Sequence, residues 1–125
     1  MIKLLVFLKR KPGMSPEEFH DYWSGTHARI VMGVPEFMRH VRRYVQSHTI
    51  EELSLDFPGG GHTGYDGMVE IWFDDAQSMK AAFETPGYLN TIRPDEPKFL
   101  DMDGFRVMVV REIPKFTPPG TAATV

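Results

Sequence analysis

Apolar and polar residues follow two rhythms along this chain, one typical of strands and one typical of helices. Strand patterning is either a short apolar run or an alternation of apolar and polar positions. Four segments show it: Ile2–Lys9, Arg39–Ile50, Tyr65–Phe73 and Phe105–Ile113.

A helical spacing of apolar residues follows the first strand. Ser15 can cap this helix, Pro16 suits its first position, and Glu18 completes a capping box. We expect the helix to end near residues 33–35, where glycine and proline occur. Its apolar stripe consists of Phe19, Tyr22, Trp23, His27, Ile30 and Val31.

A second helix is predicted after the third strand, with Asp74 or Asp75 as its cap and residues 85–87 at its end. Met79, Ala82 and Phe83 form its stripe. The segment 51–64 is predicted to be a long loop, and residues 87–100 short helical turns interrupted by proline. Residues 114–125 are expected to form an extended or disordered tail behind a domain of residues 1–113.

The resulting order, β-α-β, loop, β-α-β, predicts an α+β ferredoxin-like protomer. Its four-stranded antiparallel sheet would carry both helices on one face. We place Phe7, Tyr44, Met68 and Trp72 on the other face, which is too apolar to stay in water. A second copy is the simplest cover, and two sheets would then close a dimeric barrel around a cavity. The alternative cover is the tail or the loop of residues 51–64.

Composition narrows the classes of protein that remain. The chain has 125 residues, a net charge of −3, 42% hydrophobic and 25% charged residues and no cysteine. These values indicate one folded domain and exclude disulfides and cysteine-ligated metals. The acidic balance disfavours a nucleic-acid partner. Without an apolar run long enough for a membrane helix or a signal peptide, we expect a cytoplasmic protein with no membrane partner.

His27 is the first candidate for chemistry. It lies on the apolar stripe of the first helix, and imidazole exchanges protons near neutral pH. The alternative is a structural histidine that joins the helix to the sheet and is satisfied by hydrogen bonds.

Tyr44 and His48 are four residues apart on one strand and share a face, with Gln46 between them. A phenol and an imidazole can act as acid and base on a carbonyl or enol. The alternative is an exposed polar strand face, since Arg42 continues the row.

Asp66, Glu70 and Trp72 form a third group, because a carboxylate beside an inward-facing Trp must be paired or have a raised pKa. For Glu70 a structural pair with Lys3, Arg42 or Arg106 is favoured, and for Asp66 a turn-capping role. His27, His48 and Glu70 could together bind a metal, but their spacing does not require it, so we expect none. His20 is expected to be exposed on the helix flank.

Three blocks of residues resemble the EthD-like family of the dimeric α+β barrel superfamily. They are Phe19-x-x-Tyr22-Trp23-x-x-x-His27, Tyr44-Val45-Gln46-x-His48 and Tyr65-Asp66-Gly67-x-x-Glu70-Ile71-Trp72-Phe73. The resemblance spans residues 1–112. It implies the ferredoxin-like protomer and the dimer. Its relatives include methylmuconolactone isomerase-type enzymes, fungal polyketide dehydratases or decarboxylases, and accessory proteins of ether degradation.

The resemblance implies a cofactor-independent enzyme that moves protons on a small aromatic, lactone or polyketide-like carbonyl compound, as an isomerase, dehydratase or related lyase. We expect a pocket between the sheet and the first helix. His27 would be the acid/base, and Tyr44 and His48 would polarise the carbonyl oxygen. The alternatives are a non-catalytic binding protein with the same cavity and an oxidative, monooxygenase-type enzyme. The expected substrate-binding residues are Phe7, Trp23, Asp66, Glu70 and Trp72.

Overall fold

The computed structural model describes residues 1–120 and contains the predicted strands in the predicted order. The strands are β1 (Ile2–Leu8), β2 (Val41–His48), β3 (Gly67–Phe73) and β4 (Arg106–Val110). The helices are α1 (Pro16–Tyr22), α2 (Ala28–Met32), α3 (Pro35–Met38), α4 (Glu51–Leu55) and α5 (Ala76–Glu84). A π-helical segment, Trp23–His27, joins α1 to α2, and a π turn (Tyr88–Ile92) and a 3₁₀ helix (Arg93–Lys98) precede β4.

The strands form one antiparallel sheet in the order β2-β3-β1-β4. Val6 in the centre of β1 pairs with Val69 of β3 and Val107 of β4. α2, α3 and α5 pack on one face of the sheet, where Val31, Phe37 and Ala82 join its apolar residues in the core. This arrangement confirms the predicted α+β ferredoxin-like protomer.

Both predicted helix starts are confirmed by their caps. The Ser15 hydroxyl accepts a hydrogen bond from the Glu18 amide at 3.1 Å, and the Glu18 carboxylate accepts one from the Ser15 amide at 3.1 Å. The Asp75 carboxylate accepts from the Ser78 amide at 2.7 Å at the start of α5. Each cap satisfies backbone donors that have no partner within the helix.

The first helix differs from the prediction of one regular helix. It widens into a π-helical turn at Trp23–His27 before it continues as α2. Ser24 is the second residue of this turn, and its hydroxyl donates to the His20 carbonyl at 2.8 Å, a bond that competes with the regular helical pattern. Gly25 follows, a residue with low helix propensity. The π turn therefore ends at His27 and contributes to its orientation.

Two connecting segments also differ from the sequence-based interpretation. The predicted loop of residues 51–64 begins with the short helix α4. Residues 111–120 contain no helix or strand, and residues 121–125 of the predicted tail lie outside the described part of the chain. Across residues 1–120, no helix has both the length and the apolar character that crossing a bilayer requires.

The predicted position of Tyr44 on the uncovered sheet face is wrong. β2 has an irregularity between Val41 and Arg43, after which Tyr44 pairs with Ile71. Ile71 faces the helices, and Tyr44 packs against the same core cluster. The physical reason is that the tyrosine ring is apolar enough to join the core while its hydroxyl finds a hydrogen-bond partner there.

Candidate functional site

A cavity of about 570 Å³ lies between the sheet and the helices. Its walls are largely apolar, from strands β1, β3 and β4 and from the helices. Val107 and Val109 of the edge strand β4 line it and are 55% and 48% exposed, so the cavity opens to solvent beside β4. The volume is in the usual range for small-molecule sites. Five ionisable side chains reach it: His27, Tyr44, Lys80, Tyr88 and Glu96.

His27 is buried at the cavity wall and paired with a carboxylate. Its Nδ1 lies 2.8 Å from Oδ2 of Asp95, which the 3₁₀ helix Arg93–Lys98 holds in place. Tyr22 donates its hydroxyl proton to the other Asp95 oxygen at 2.6 Å, and Lys98 Nζ lies 3.6 Å from that oxygen. Within residues 1–120, Nε2 of His27 has no hydrogen-bond partner. Every fully buried side-chain nitrogen or oxygen in this part of the chain has a partner, so Nε2 is not fully buried. Nε2 is therefore accessible from the cavity.

The pKa values of this cluster favour a neutral imidazole beside a carboxylate. Burial lowers the pKa of His27 below its ordinary 6.5, and the opposing effect of Asp95 does not restore it. Burial is the largest influence and alone would raise the pKa of Asp95, but hydrogen bonds from Tyr22 and His27, together with nearby charge that includes Lys98, hold it below its ordinary value. Burial and Asp95 raise the pKa of Tyr22 to about 12. At neutral pH, His27 Nδ1–H thus donates to Asp95, and Nε2 keeps a lone pair.

Tyr44 presents a hydroxyl group to the same cavity. Gln46 fixes it, because its Nε2 donates to the Tyr44 oxygen and to the Trp23 carbonyl, each at 2.9 Å. Burial raises the pKa of Tyr44, so the phenol keeps its proton. That proton has no acceptor within the described residues and is free for an oxygen atom of a ligand.

His48 lies behind Gln46 and does not line the cavity. Its Nε2 donates to the Gln46 Oε1 at 2.9 Å, since both Gln46 protons are used elsewhere. Its Nδ1 then accepts from Nδ1 of His20 at 2.7 Å, so His20 is a partner of this row and not a freely exposed residue as expected. Burial, with a smaller effect of His20, lowers the pKa of His48. His48 supports Tyr44 and does not reach a ligand in the cavity.

Trp23 lines the cavity as expected and is 1% exposed. Its ring crosses the sheet at Gly67, where a Cβ atom would overlap the indole. Glycine is therefore required at this position of β3. The contact explains why Gly67 occurs in the third sequence block together with Trp23 in the first sequence block.

Phe7, Glu70 and Trp72 lie on the opposite face of the sheet, which we call the open face, and do not line the cavity. Glu70 pairs with Lys3 at 3.1 Å, one of the structural pairs considered from the sequence. Trp72 is 3% exposed, with Lys3 and Arg43 each 4.8 Å from its ring centre, and its Nε1 donates to Glu112. His27 and Glu70 are thus separated by the sheet, which excludes the metal set considered above.

Asp66 joins the first turn of the chain to the start of β3. One of its oxygens accepts from the Arg10 amide at 2.8 Å, and the other pairs with the Arg10 guanidinium at 2.5 Å. Both oxygens are therefore occupied within the protein, outside the cavity. Asp66 therefore makes a long-range pair with Arg10 and does not line the cavity, nor does it cap a local turn, the role that the sequence favoured.

Asp95, Glu96 and Tyr88 were not found from the sequence. They belong to the segment 87–100, for which the sequence predicts only short helical turns. The available signal was an Asp-Glu pair between Pro94 and Pro97, since prolines fix the backbone of such a turn.

Comparison with known proteins identifies relatives of this chain. A family model described as EthD domain matches residues 11–103. Dehydratase ustZ of Ustilaginoidea virens is 28% identical over 105 residues, which cover 80% of this chain and 75% of that protein. The conidial pigment biosynthesis dehydratase EthD of Metarhizium robertsii is 27% identical over 106 residues, which cover 81% of this chain and 75% of that protein.

Solved structures share the fold at low sequence identity. An EthD family protein of Bacillus halodurans has a TM-score of 0.65 and 21% identity, covering 90% of this chain and 100% of its own. A dimeric protein with a ferredoxin-like fold from Bacteroides fragilis has a TM-score of 0.61 and 12% identity, covering 89% of this chain and 95% of its own.

Proposed function

Since the chain belongs to the EthD domain family, we propose that it is a dehydratase that removes water from a β-hydroxy carbonyl compound of the small aromatic or polyketide type. The observation that carries this proposal is the buried His27–Asp95 pair, whose free Nε2 reaches an apolar cavity. The names of two similar proteins, both dehydratases, support the same reaction class.

The residues of the cavity suit the two demands of such an elimination. A base must take the proton next to the carbonyl group, and the neutral His27 Nε2 has the lone pair for it. A donor must stabilise the negative charge that develops on the carbonyl oxygen, and the Tyr44 hydroxyl has a free proton for it. Asp95 fixes the tautomer of His27 and stabilises the imidazolium that forms. Loss of water leaves the oxidation level of the molecule unchanged, so acids and bases of the protein suffice for it.

Apolar walls complete the site. They exclude water and bind an aromatic or polyketide-like skeleton through its surface. With most polar groups already paired, only a few are left to orient the ligand. This combination favours a substrate with a carbonyl group on a largely hydrocarbon framework.

We further propose that the protein is a homodimer in which two open faces meet. Among the described residues, this face includes half-buried or exposed apolar side chains that have no helix over them: Leu5, Phe7, Val45, Met68, Met108 and Val110. An apolar surface of this kind favours a partner. The Bacteroides fragilis neighbour is itself described as dimeric.

The dehydratase proposal can be tested with 3-hydroxy-1-tetralone, which gives fluorescent 1-naphthol when it loses water. We expect the protein to produce 1-naphthol, and H27Q to be slower by about 10²- to 10⁴-fold, the usual contribution of a general base. H40Q, which changes a histidine outside the cavity, is the matched control and should retain activity.

Equal rates for H27Q and the unchanged protein would remove His27 from the mechanism. If the protein binds 1-naphthol, with quenching of Trp23 fluorescence, but never forms it, the non-catalytic binding protein is the better description. Incorporation of oxygen from O₂ into the product would instead indicate the oxidative alternative.

A further inference from the structure

The 3₁₀ helix Arg93–Lys98 brings two consecutive carboxylates to the site, and only one of them supports His27. Asp95 faces away from the free volume, where Tyr22 and His27 occupy both of its oxygens. The next residue, Glu96, lines the cavity itself. The two acids therefore have opposite surroundings, although they are neighbours in sequence.

The Glu96 carboxyl group has a single hydrogen-bond partner among residues 1–120. The Tyr88 hydroxyl donates to its Oε2 at 3.1 Å, and neither oxygen lies within ion-pair distance of a described cation. Oε1 has no partner in that part of the chain. A protonated carboxyl group can accept on one oxygen and donate from the other. The geometry therefore fits a neutral Glu96 that accepts from Tyr88 and donates from Oε1.

Electrostatics separates the two carboxyl groups in the same direction. Burial raises the pKa of Glu96, and Tyr88 and Arg93 do not offset the increase, to which Asp95 adds. The hydrogen bonds to Asp95 hold the pKa of that carboxyl low despite its burial. Lys80 is the further charged group that lines the cavity, from α5. Two acids whose surroundings separate their pKa values in one site are the usual sign of divided acid and base roles.

We propose that Glu96 is a second catalytic residue of this cavity, the acid that gives its proton to the departing hydroxyl group. The inference rests on the proposed dehydration. His27 Nε2 takes the proton from the carbon next to the carbonyl group, the bond between the β-carbon and the hydroxyl oxygen breaks, and the Glu96 proton joins that oxygen to give water. Imidazolium and carboxylate remain, and solvent returns the proton from His27 to Glu96.

Removal of the proton next to the carbonyl group and departure of the hydroxyl group can be measured separately. Exchange of the protons next to the carbonyl of 1-tetralone needs His27 and Tyr44 but not Glu96, because this compound has no leaving group. Dehydration of 3-hydroxy-1-tetralone needs Glu96 as well. Elimination of acetate from 3-acetoxy-1-tetralone needs His27 but little help from an acid, because acetate is a far better leaving group than hydroxide.

E96Q keeps the shape of the side chain and an oxygen for Tyr88 but has no acidic proton. We expect dehydration by E96Q to fall about 10²- to 10⁴-fold, while deuterium exchange of 1-tetralone and elimination of acetate stay within about threefold of the unchanged protein. E84Q, an exposed change at the end of α5, is the matched control for all three reactions. H27Q should lose all three.

Unchanged dehydration by E96Q would overturn the proposal, and so would an equal loss of all three reactions, which indicates a structural role. A failure of the unchanged protein in every reaction would contradict the proposed dehydratase instead. In that case the Glu96 carboxyl is titrated by ¹³C NMR, with E96Q to assign its signal. Ionisation at or below the ordinary glutamate pKa of 4.5 would overturn Glu96 as a proton donor, and ionisation at higher pH would support it.

Discussion

The two faces of the sheet carry similar polar side chains in different arrangements. On the open face, Lys3 pairs with Glu70 and Glu112 and, with Arg43, covers the Trp72 ring. On the helix-facing side, hydrogen bonds fix His27 and Tyr44 and still leave Nε2 and a hydroxyl proton without partners in the described chain. A polar atom directed into an apolar cavity costs free energy unless a ligand pairs with it. These free atoms are the reason why we propose that the chemistry takes place on the helix-facing side.

The largest effect is expected from a change to the pair that holds His27. In D95N, an amide N–H would face Nδ1 and favour the tautomer with the proton on Nε2, so the base loses its lone pair. We expect dehydration to fall by between ~10² and ~10⁴-fold, with the tautomer followed by ¹⁵N NMR. D74N, which breaks an exposed pair with Arg42, is the control. Full activity of D95N would contradict the role of Asp95.

The open face is tested by its self-association. M108E places a carboxylate on this face, at a residue that is 52% exposed in the single chain. Because burial of an unpaired charge costs several kcal/mol, we expect dimer dissociation to become at least ~100-fold easier, measured by sedimentation. M32E is the control, since Met32 of α2 is 55% exposed and lies on the other side. A dimer that tolerates M108E but not M32E would place the interface elsewhere.

A smaller effect is expected from the support behind Tyr44. Q46L removes the hydrogen bonds to the Trp23 carbonyl, Tyr44 and His48, and leaves these groups without that partner. We expect the free energy of unfolding to fall by about 1–3 kcal/mol, measured with urea. Q77L, at an exposed position of α5, should change it little. An unchanged stability of Q46L would show that water replaces the amide.

The smallest effect is a pH dependence of stability. The pKa of His27 is lowered in the folded protein, so the unfolded chain binds more protons as the pH falls below 6.5. The contribution of His27 to the free energy of unfolding is therefore fully present above pH 6.5. It declines as the pH falls towards the pKa of His27 in the folded protein, by at most about 1.4 kcal/mol per pH unit. His48 acts in the same direction. Urea unfolding at several pH values should show that the free energy of unfolding depends less steeply on pH in H27Q than in the unchanged protein. In W72F the dependence on pH should be unchanged.

Much of the fold could be predicted because its signals are local. The capping box at Ser15 and the cap at Asp75 depend on residues three positions apart, and strand alternation needs only neighbours. The side of the sheet on which Tyr44 lies could not be predicted from neighbouring residues, because the polar Arg42, Gln46 and His48 are typical of a strand face without helices over it. Only the pairing with Ile71 and the bonds to Gln46 show that Tyr44 faces the helices, whereas Arg42 stays exposed.

The site was predicted in part for the same reason. His27 and Trp23 share a helical stripe that is visible in the sequence, and both line the cavity. Asp95 lies 68 residues from His27, and its role depends on a contact that no local pattern shows. Glu96 gains its distinct surroundings only because the 3₁₀ helix turns consecutive side chains in different directions.

A crystal structure of the protein with 1-naphthol, the product of the proposed test reaction, would show whether the ligand binds on the helix-facing side of the sheet. We expect the rings between the sheet and the helices, with the naphthol oxygen within hydrogen-bond distance of the Tyr44 hydroxyl and its carbon framework against Nε2 of His27. Naphthol bound only on the open face, or a cavity closed by its own side chains, would contradict the assignment of the chemistry to the helix-facing side.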